Sequence, residues 1–334
     1  MSSTNGVNGH SHKRVLRPGV WAPIPTFFDD NEDLDLATFS KHVVRLAQGG
    51  MQPVVCGSMG EAHHLSHDER VKLFVEARKA LDGAGLHDTV IIAGTGAGST
   101  RETIALCKSA GEAGADVAIV IAPGYFAGQL PGPALKQFFV DVANASPIPV
   151  MMYNFPGASG GIDLDSDLVT EIAREAPNIC GIKLTCGAVG KLTRITANTA
   201  TSKFADYPRK SSTAPDFVTL GGFADFLLPT VLASRAHGAI MGLGNVYPKA
   251  LARLFELASK GELEKALVLQ DLASATDAAF VKTGIAGTKW FLQKYHGYPT
   301  CRMRRPLLEF DPVKGAELEK NPDVMKFLEI ENSL

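Results

Sequence analysis

Val117-Ala-Ile-Val-Ile-Ala122 and, beyond one amphipathic segment at 133–145, Pro149-Val-Met-Met-Tyr-Asn154 are the stretches on which the fold turns. Both are short and apolar almost throughout. A strand with one wet face would alternate, so continuous apolarity means burial on both faces, as in a parallel sheet. The same beat repeats outward in both directions. Further apolar runs lie at 19–25, 52–57 and 89–94 before it, and at 179–184, 217–221 and 238–242 after it. Between them the periodicity predicts helices at 36–48, 67–82, 100–114, 165–176, 188–199 and 223–235. Ser66-His-Asp-Glu69 and Ser99-Thr-Arg-Glu102 fit the S-x-x-E capping box, while Gly49-Gly50 and Gly114 read as stops.

Eight strands with intervening helices over about 230 residues is the count of a closed (β/α)8 TIM barrel, which takes ~250 residues. An open doubly wound sheet would carry a glycine turn after its first strand, and Trp21-Ala-Pro-Ile-Pro25 has none. The α/β catalytic barrel is therefore placed at 15–246. Past Gly244 the strands stop. Helices are predicted at 247–260, 262–280, 284–295 and 314–330, forming a helical C-terminal extension over 247–334. Met1 to His12 are mostly Ser, Asn, Gly and His, without the apolar core of a secretory signal, so a disordered leader is expected over 1–14.

Hydrophobic residues make up 45% of the 334, enough for a sizeable core. A net charge of -2 lacks the basic excess of a nucleic-acid surface, and no apolar run reaches membrane-spanning length. Five cysteines without a C-x-x-C pair suggest reduced thiols, with Cys180 and Cys186 read as packing residues. A cytoplasmic enzyme is the default expectation; a mitochondrial one would need a longer leader.

In such a barrel the active site lies at the carboxyl ends of the strands. Those ends are Pro25-Thr26, Gly57-Ser-Met-Gly-Glu61, Gly94-Thr-Gly96, Pro123-Gly-Tyr125, Tyr153-Asn154, Lys183-Leu-Thr185, Gly221-Gly222 and Gly242-Leu-Gly-Asn245. This rim holds one lysine, two tyrosines and one carboxylate, with small residues elsewhere that leave room for a ligand. Gly57, Gly222 and Gly242 are taken as substrate-binding positions among them. The inventory is poor for a metal site or a carboxylate dyad and suits amine chemistry. Lys183 interrupts the otherwise apolar Ile179-Cys-Gly-Ile-Lys183-Leu184. Desolvation there favours the neutral amine, the form that attacks a carbonyl. The plainer reading is a lysine snorkelling into water. Tyr153, one strand earlier, offers the proton shuttle that imine formation and C–C cleavage need, although a rim tyrosine can simply bond backbone.

Gly57-Ser58-Met59-Gly60-Glu61, Tyr153-Asn154-x-Pro156 and Gly181-Ile182-Lys183 together resemble the dihydrodipicolinate synthase / N-acetylneuraminate lyase family, in order and spacing, over about Gly19 to Leu308. The resemblance implies a pyruvate Schiff base on Lys183, with Tyr153 as acid and base. It implies main-chain amides at Ser58 and Met59 for the pyruvate carboxylate. The Ser58 hydroxyl and Tyr125 would continue a proton relay, the tyrosine in many relatives reaching in from a neighbouring subunit of a dimer or tetramer. No metal or organic cofactor is implied beyond the covalent lysine imine.

The chain departs from the synthase pattern at two places. Ala158 stands where synthases carry an arginine for the aldehyde's carboxylate, and Met59 replaces the second threonine of Gly-Thr-Thr-Gly-Glu. Gly284-Ile-Ala-Gly-Thr-Lys289 and Pro299-Thr-Cys-Arg302 through Pro306-Leu307 look more like 4-hydroxy-2-oxoglutarate aldolases, and Gly57–Glu61 also resembles fungal aldolases of deoxy-keto-hexonates. The expected reaction is cleavage of a 4-hydroxy-2-oxo acid to pyruvate and an aldehyde. Synthase-type condensation, sugar-acid dehydration and a catalytically silent keto-acid-binding barrel are its rivals.

Other motifs carry less. Gly94-Thr-Gly-Ala-Gly98 has the wrong spacing for a dinucleotide fingerprint, and Gly190-Lys191 lacks the preceding glycine of a P-loop. His63, His64 and His67 could be drawn as a metal cluster but read better as solvated residues beside a helix cap. Arg302-Met-Arg-Arg305 reads as a surface or interface patch.

Overall fold

The computed structural model describes residues 14–200 and 209–334; the expected leader, up to residue 13, lies outside them. Eight strands form the sheet: β1 Gly19–Pro23, β2 Gln52–Val55, β3 Ile92–Gly94, β4 Val117–Ile121, β5 Val150–Asn154, β6 Ile179–Leu184, β7 Val218–Gly221 and β8 Gly238–Ile240. They run in sequence order, all parallel, and close into a barrel where β1 pairs with β8. The closure explains why the strands do not alternate. Their inward side chains, among them Trp21, Val54, Ile92, Ile119, Met151 and Leu220, fill the barrel. Their outward ones, such as Val120, Met152 and Ile182, pack under the helices.

The connecting helices are α1 Leu36–Gln48, α2 His67–Gly83, α3 Thr100–Glu112, α4 Gly132–Ala145, α5 Ser166–Glu175, α6 Val189–Asn198 and α7 Leu227–Leu232. After β8 come α8 Pro248–Lys260, α9 Leu263–His296, α10 Pro312–Lys320 and α11 Pro322–Ser333. Ser66 and Glu69 make both hydrogen bonds of the capping box on α2. On α3 only Ser99 plays its part, because Glu102 turns instead to His67 at 3.0 Å.

Three helical expectations are corrected. The segment predicted at 223–235 is helical only from Leu227. Pro229 has no N–H to donate and fits best in a first turn, and Asp277 takes the amides of Ala224 and Asp225 that a longer helix would use. The segments 262–280 and 284–295 join as one helix, α9, interrupted at Gly284, whose φ of 63° and ψ of −151° suit glycine. The last segment is two helices, because Pro322 holds Asn321 extended and Asn321 then caps α11.

Candidate active site

Lys183 and Tyr153 face one another across the β5–β6 ladder as register partners. Both are buried, at 5% and 6% exposure, inside the barrel near its carboxyl end. The Lys183 Nζ donates to the Tyr153 hydroxyl at 3.2 Å and lies 4.2 Å from the ring centre. The amine is thus out of bulk water, close to a group that can exchange its proton. Tyr153 lines a cavity of ≈ 190 Å³ together with Gly57, Ser58, Ile119, Ile121, Ala158, Ile285 and Leu307.

On the opposite wall the chain turns sharply after β2. Cys56 and Glu61 bracket the turn with φ of 56° and 52°, left-handed values that are uncommon for residues with side chains. A Cβ on Gly60 would stand 2.8 Å from the Ile24 carbonyl, so only glycine fits between them. Gly60 donates to Gly57 O and Glu61 to Ser58 O. Among the described residues the amides of Ser58 and Met59 donate to no protein acceptor. Ser58 lines the cavity, and Met59 follows it in the same turn.

The turn is held from behind by the C-terminal helices, which the sequence motifs did not indicate. Glu61 is fully buried against Lys289 of α9, Oε1 to Nζ at 2.6 Å. Lys289 also donates to Arg302 O, and Arg304 N and His64 Nδ1 each lie 3.2 Å from Glu61 Oε2. Burial holds the Lys289 ammonium below its ordinary pKa, with Glu61 acting against the shift. The break at Gly284 is followed at once by Ile285, which lines the cavity, as does Leu307.

The remaining predicted positions divide. Gly242 lies against Met59, whose Sδ would be 3.7 Å from an added Cβ, and Gly222 presses on Thr185 at 2.3 Å by the same measure. Neither glycine lines the cavity itself. Thr185, two residues past Lys183 and just beyond the end of β6, has a buried hydroxyl without a protein partner. Its place on the rim was legible; its unmet hydrogen bond needed coordinates. Tyr125 is not brought to Lys183 within the chain. Its ring is 89% exposed, edge-on to the exposed Phe126, over a neighbouring depression that shares His63, Ile121 and Ala158 with the main cavity.

Among the described residues no group of three or more His, Cys, Asp or Glu side chains is placed to hold a metal ion. His64 faces Glu61, and His67 faces Glu102 and Ser109. All five cysteines are free thiols. No helix among the described residues is long and apolar enough to cross a membrane.

Residues 17–325 match the model of the dihydrodipicolinate synthetase family. The chain is 44% identical to an L-threo-3-deoxy-hexylosonate aldolase of Aspergillus niger, covering 96% of this chain and 97% of that one. It is 42% identical to a protein of Emericella nidulans named a probable mitochondrial 4-hydroxy-2-oxoglutarate aldolase, covering 92% and 94%. Among solved structures, a dihydrodipicolinate synthase family protein from Coccidioides immitis superposes with a TM-score of 0.82 at 36% identity, over 96% of this chain and 99% of that one. The family protein YagE from E. coli K12, solved in complex with pyruvate, gives 0.81 at 27% identity over 94% and 99%.

Proposed function

The chain belongs to the dihydrodipicolinate synthetase family and is a pyruvate aldolase, a carbon–carbon lyase; from that premise we propose which residues carry its reaction and how. The observation that supports the assignment most strongly is the buried Lys183 amine 3.2 Å from the Tyr153 hydroxyl.

The substrate is a 4-hydroxy-2-oxo acid. Its carboxylate is held by the Ser58 and Met59 amides, which puts C2 against Lys183. The neutral amine adds to the C2 carbonyl, and water leaves as the imine forms, with Tyr153 passing the protons. The protonated imine nitrogen withdraws electrons from C3–C4. Tyr153 takes the proton of the 4-hydroxyl, the C3–C4 bond breaks, and the aldehyde departs while its electron pair enters the enamine. A proton returned to C3 restores the imine, and water hydrolyses it to pyruvate and free Lys183. Every electron moved here comes from the substrate or the lysine, so the proposed course calls on no metal or organic cofactor.

The Thr185 hydroxyl supplies a hydrogen bond to the bound adduct. We propose further that the working enzyme is a dimer or tetramer in which the exposed Tyr125 completes a neighbour's proton relay together with the Ser58 hydroxyl. The exposed Tyr125–Phe126 pair supports that reading. Five free thiols suit a reducing compartment, the cytoplasm by default.

The deciding experiment is incubation with pyruvate and borohydride, followed by peptide mass spectrometry and an assay of pyruvate release. A reduced adduct on the Lys183 peptide is expected. A folded protein that forms no adduct would sink the proposal.

A further inference from the structure

On the lysine-imine reading the far half of the substrate extends from Lys183 past Tyr153 into this cavity, and the side chains lining it decide what it can carry. Ile119, Ile121, Ala158, Ile285 and Leu307 are apolar walls. Three cations close to them are already engaged. Arg70 gives Nε and Nη2 to the Ala62 carbonyl and Nη1 to that of Gly96. Lys289 is closed on Glu61 and the Arg302 carbonyl. Arg304 holds Glu69 and the carbonyls of His64 and Glu32. Lys183 is consumed by the imine.

A second carboxylate at the far end would therefore take none of these three as a partner, and losing water without one is among the most costly fates for a charged group. A hydroxyl needs only one donor or one acceptor. A neutral imidazole without a protein partner offers both. His63 lines this cavity and the adjoining Tyr125 depression. Among the described residues its ring makes no hydrogen bond, whereas His64 and His67 are both paired.

We infer that the aldehyde half of the substrate is uncharged and hydroxylated, as in a 3-deoxy-2-keto sugar acid, and that His63 is the specificity-determining residue that binds its hydroxyls. The inference rests on the lysine-imine assignment of the site. Desolvation, with Arg70 and then His64 adding to it, pushes the His63 imidazole below its ordinary pKa. At neutral pH one ring nitrogen then donates and the other accepts, which matches a hydroxyl and not a carboxylate.

The test compares a 3-deoxy-2-keto hexonate with 4-hydroxy-2-oxoglutarate on the full chain and on His63→Ala and His63→Gln. Each protein is also trapped with pyruvate and borohydride, which probes the imine without an aldehyde half. The wild type is expected to favour the sugar acid by roughly tenfold or more in kcat/KM, the scale set by one unmet polar contact. His63→Ala should lose most of that preference through KM, and lose more with the sugar acid than in pyruvate trapping. His63→Gln, which keeps a donor and an acceptor, should recover part of it. Equal cleavage of both acids by the wild type, or an unchanged sugar-acid kcat/KM in His63→Ala, overturns the inference. Failure of the wild type to trap pyruvate overturns instead the imine assignment beneath it.

Discussion

Lys183 Nζ and the Tyr153 hydroxyl lie 3.2 Å apart because their residues are opposite one another in the β5–β6 ladder. The pairing is set by backbone register within the barrel sheet, so the two groups are brought together without help from a loop. Lys183→Ala should abolish both the borohydride adduct and turnover. Tyr153→Phe keeps the amine and its packing but removes the proposed shuttle. It should still form the adduct, slowly, while turnover falls by about 10²–10⁴, the usual share of general acid–base catalysis. Substantial cleavage by Lys183→Ala would refute the assignment.

The Glu61–Lys289 pair ties the turn after β2, the proposed carboxylate site, to α9 with both side chains fully buried. Removing one partner leaves a buried charge alone, which costs about 3–5 kcal/mol. Lys289→Met is expected to be destabilised on that scale in urea unfolding. Adding Glu61→Leu should return part of the loss, because two apolar residues of similar volume no longer strand a charge. The double variant should nonetheless bind pyruvate poorly, since the left-handed Glu61 has lost what holds it. Normal pyruvate affinity in the double variant would show that the turn needs no brace.

How much of this was readable beforehand differs by element. The strands were, since burial on both faces leaves runs such as Val117–Ile121 without a polar interruption. Lys183 and Tyr153 were readable for the same reason, as the polar residues ending two such runs. The bracing of the site from the C-terminal end was not. Lys289 sits 228 residues from Glu61, and although each falls in a motif, nothing local says that the two side chains meet. Helix ends near prolines also escaped, as Pro229 and Pro322 show: hydrophobic period persists across a backbone break that only the missing N–H and the restriction on its neighbour enforce.

Tyr125 gives a test of assembly. With its ring 89% exposed, Tyr125→Phe should leave chain stability within ~0.5 kcal/mol of wild type, as surface changes do. If the hydroxyl serves a neighbour's site, activity should still fall. Tyr125→Phe and Tyr153→Phe chains, each nearly inactive, should regain activity when unfolded together and refolded, because every mixed pair then holds one intact site. No recovery on mixing would place the tyrosine outside the reaction.

The last expectation concerns acid. His42 on α1 is completely buried and accepts from the Tyr298 hydroxyl at 2.6 Å, while its Nε2 donates to Asn245 Oδ1 at 3.0 Å. This tautomer follows from Asn245, whose amide nitrogen is already given to the Pro23 and Gly242 carbonyls. The network fixes the turn after β8 at the barrel mouth. Burial drives the His42 pKa from 6.5 to about 3, against the hydrogen bond that it makes to Asn245, and burial drives His296 to about 3 as well. A folded-state pKa depressed below the unfolded value means that the unfolded chain binds the extra proton. The stabilisation is therefore complete above pH 6.5 and is lost progressively as pH falls towards 3. Between pH 7 and 5 His42 alone should cost the fold about 2 kcal/mol. Urea unfolding at those two pH values should show the loss in wild type and a shallower one in His42→Gln, which has no proton to take up. Equal pH slopes in the two proteins would mean that His42 is not held neutral.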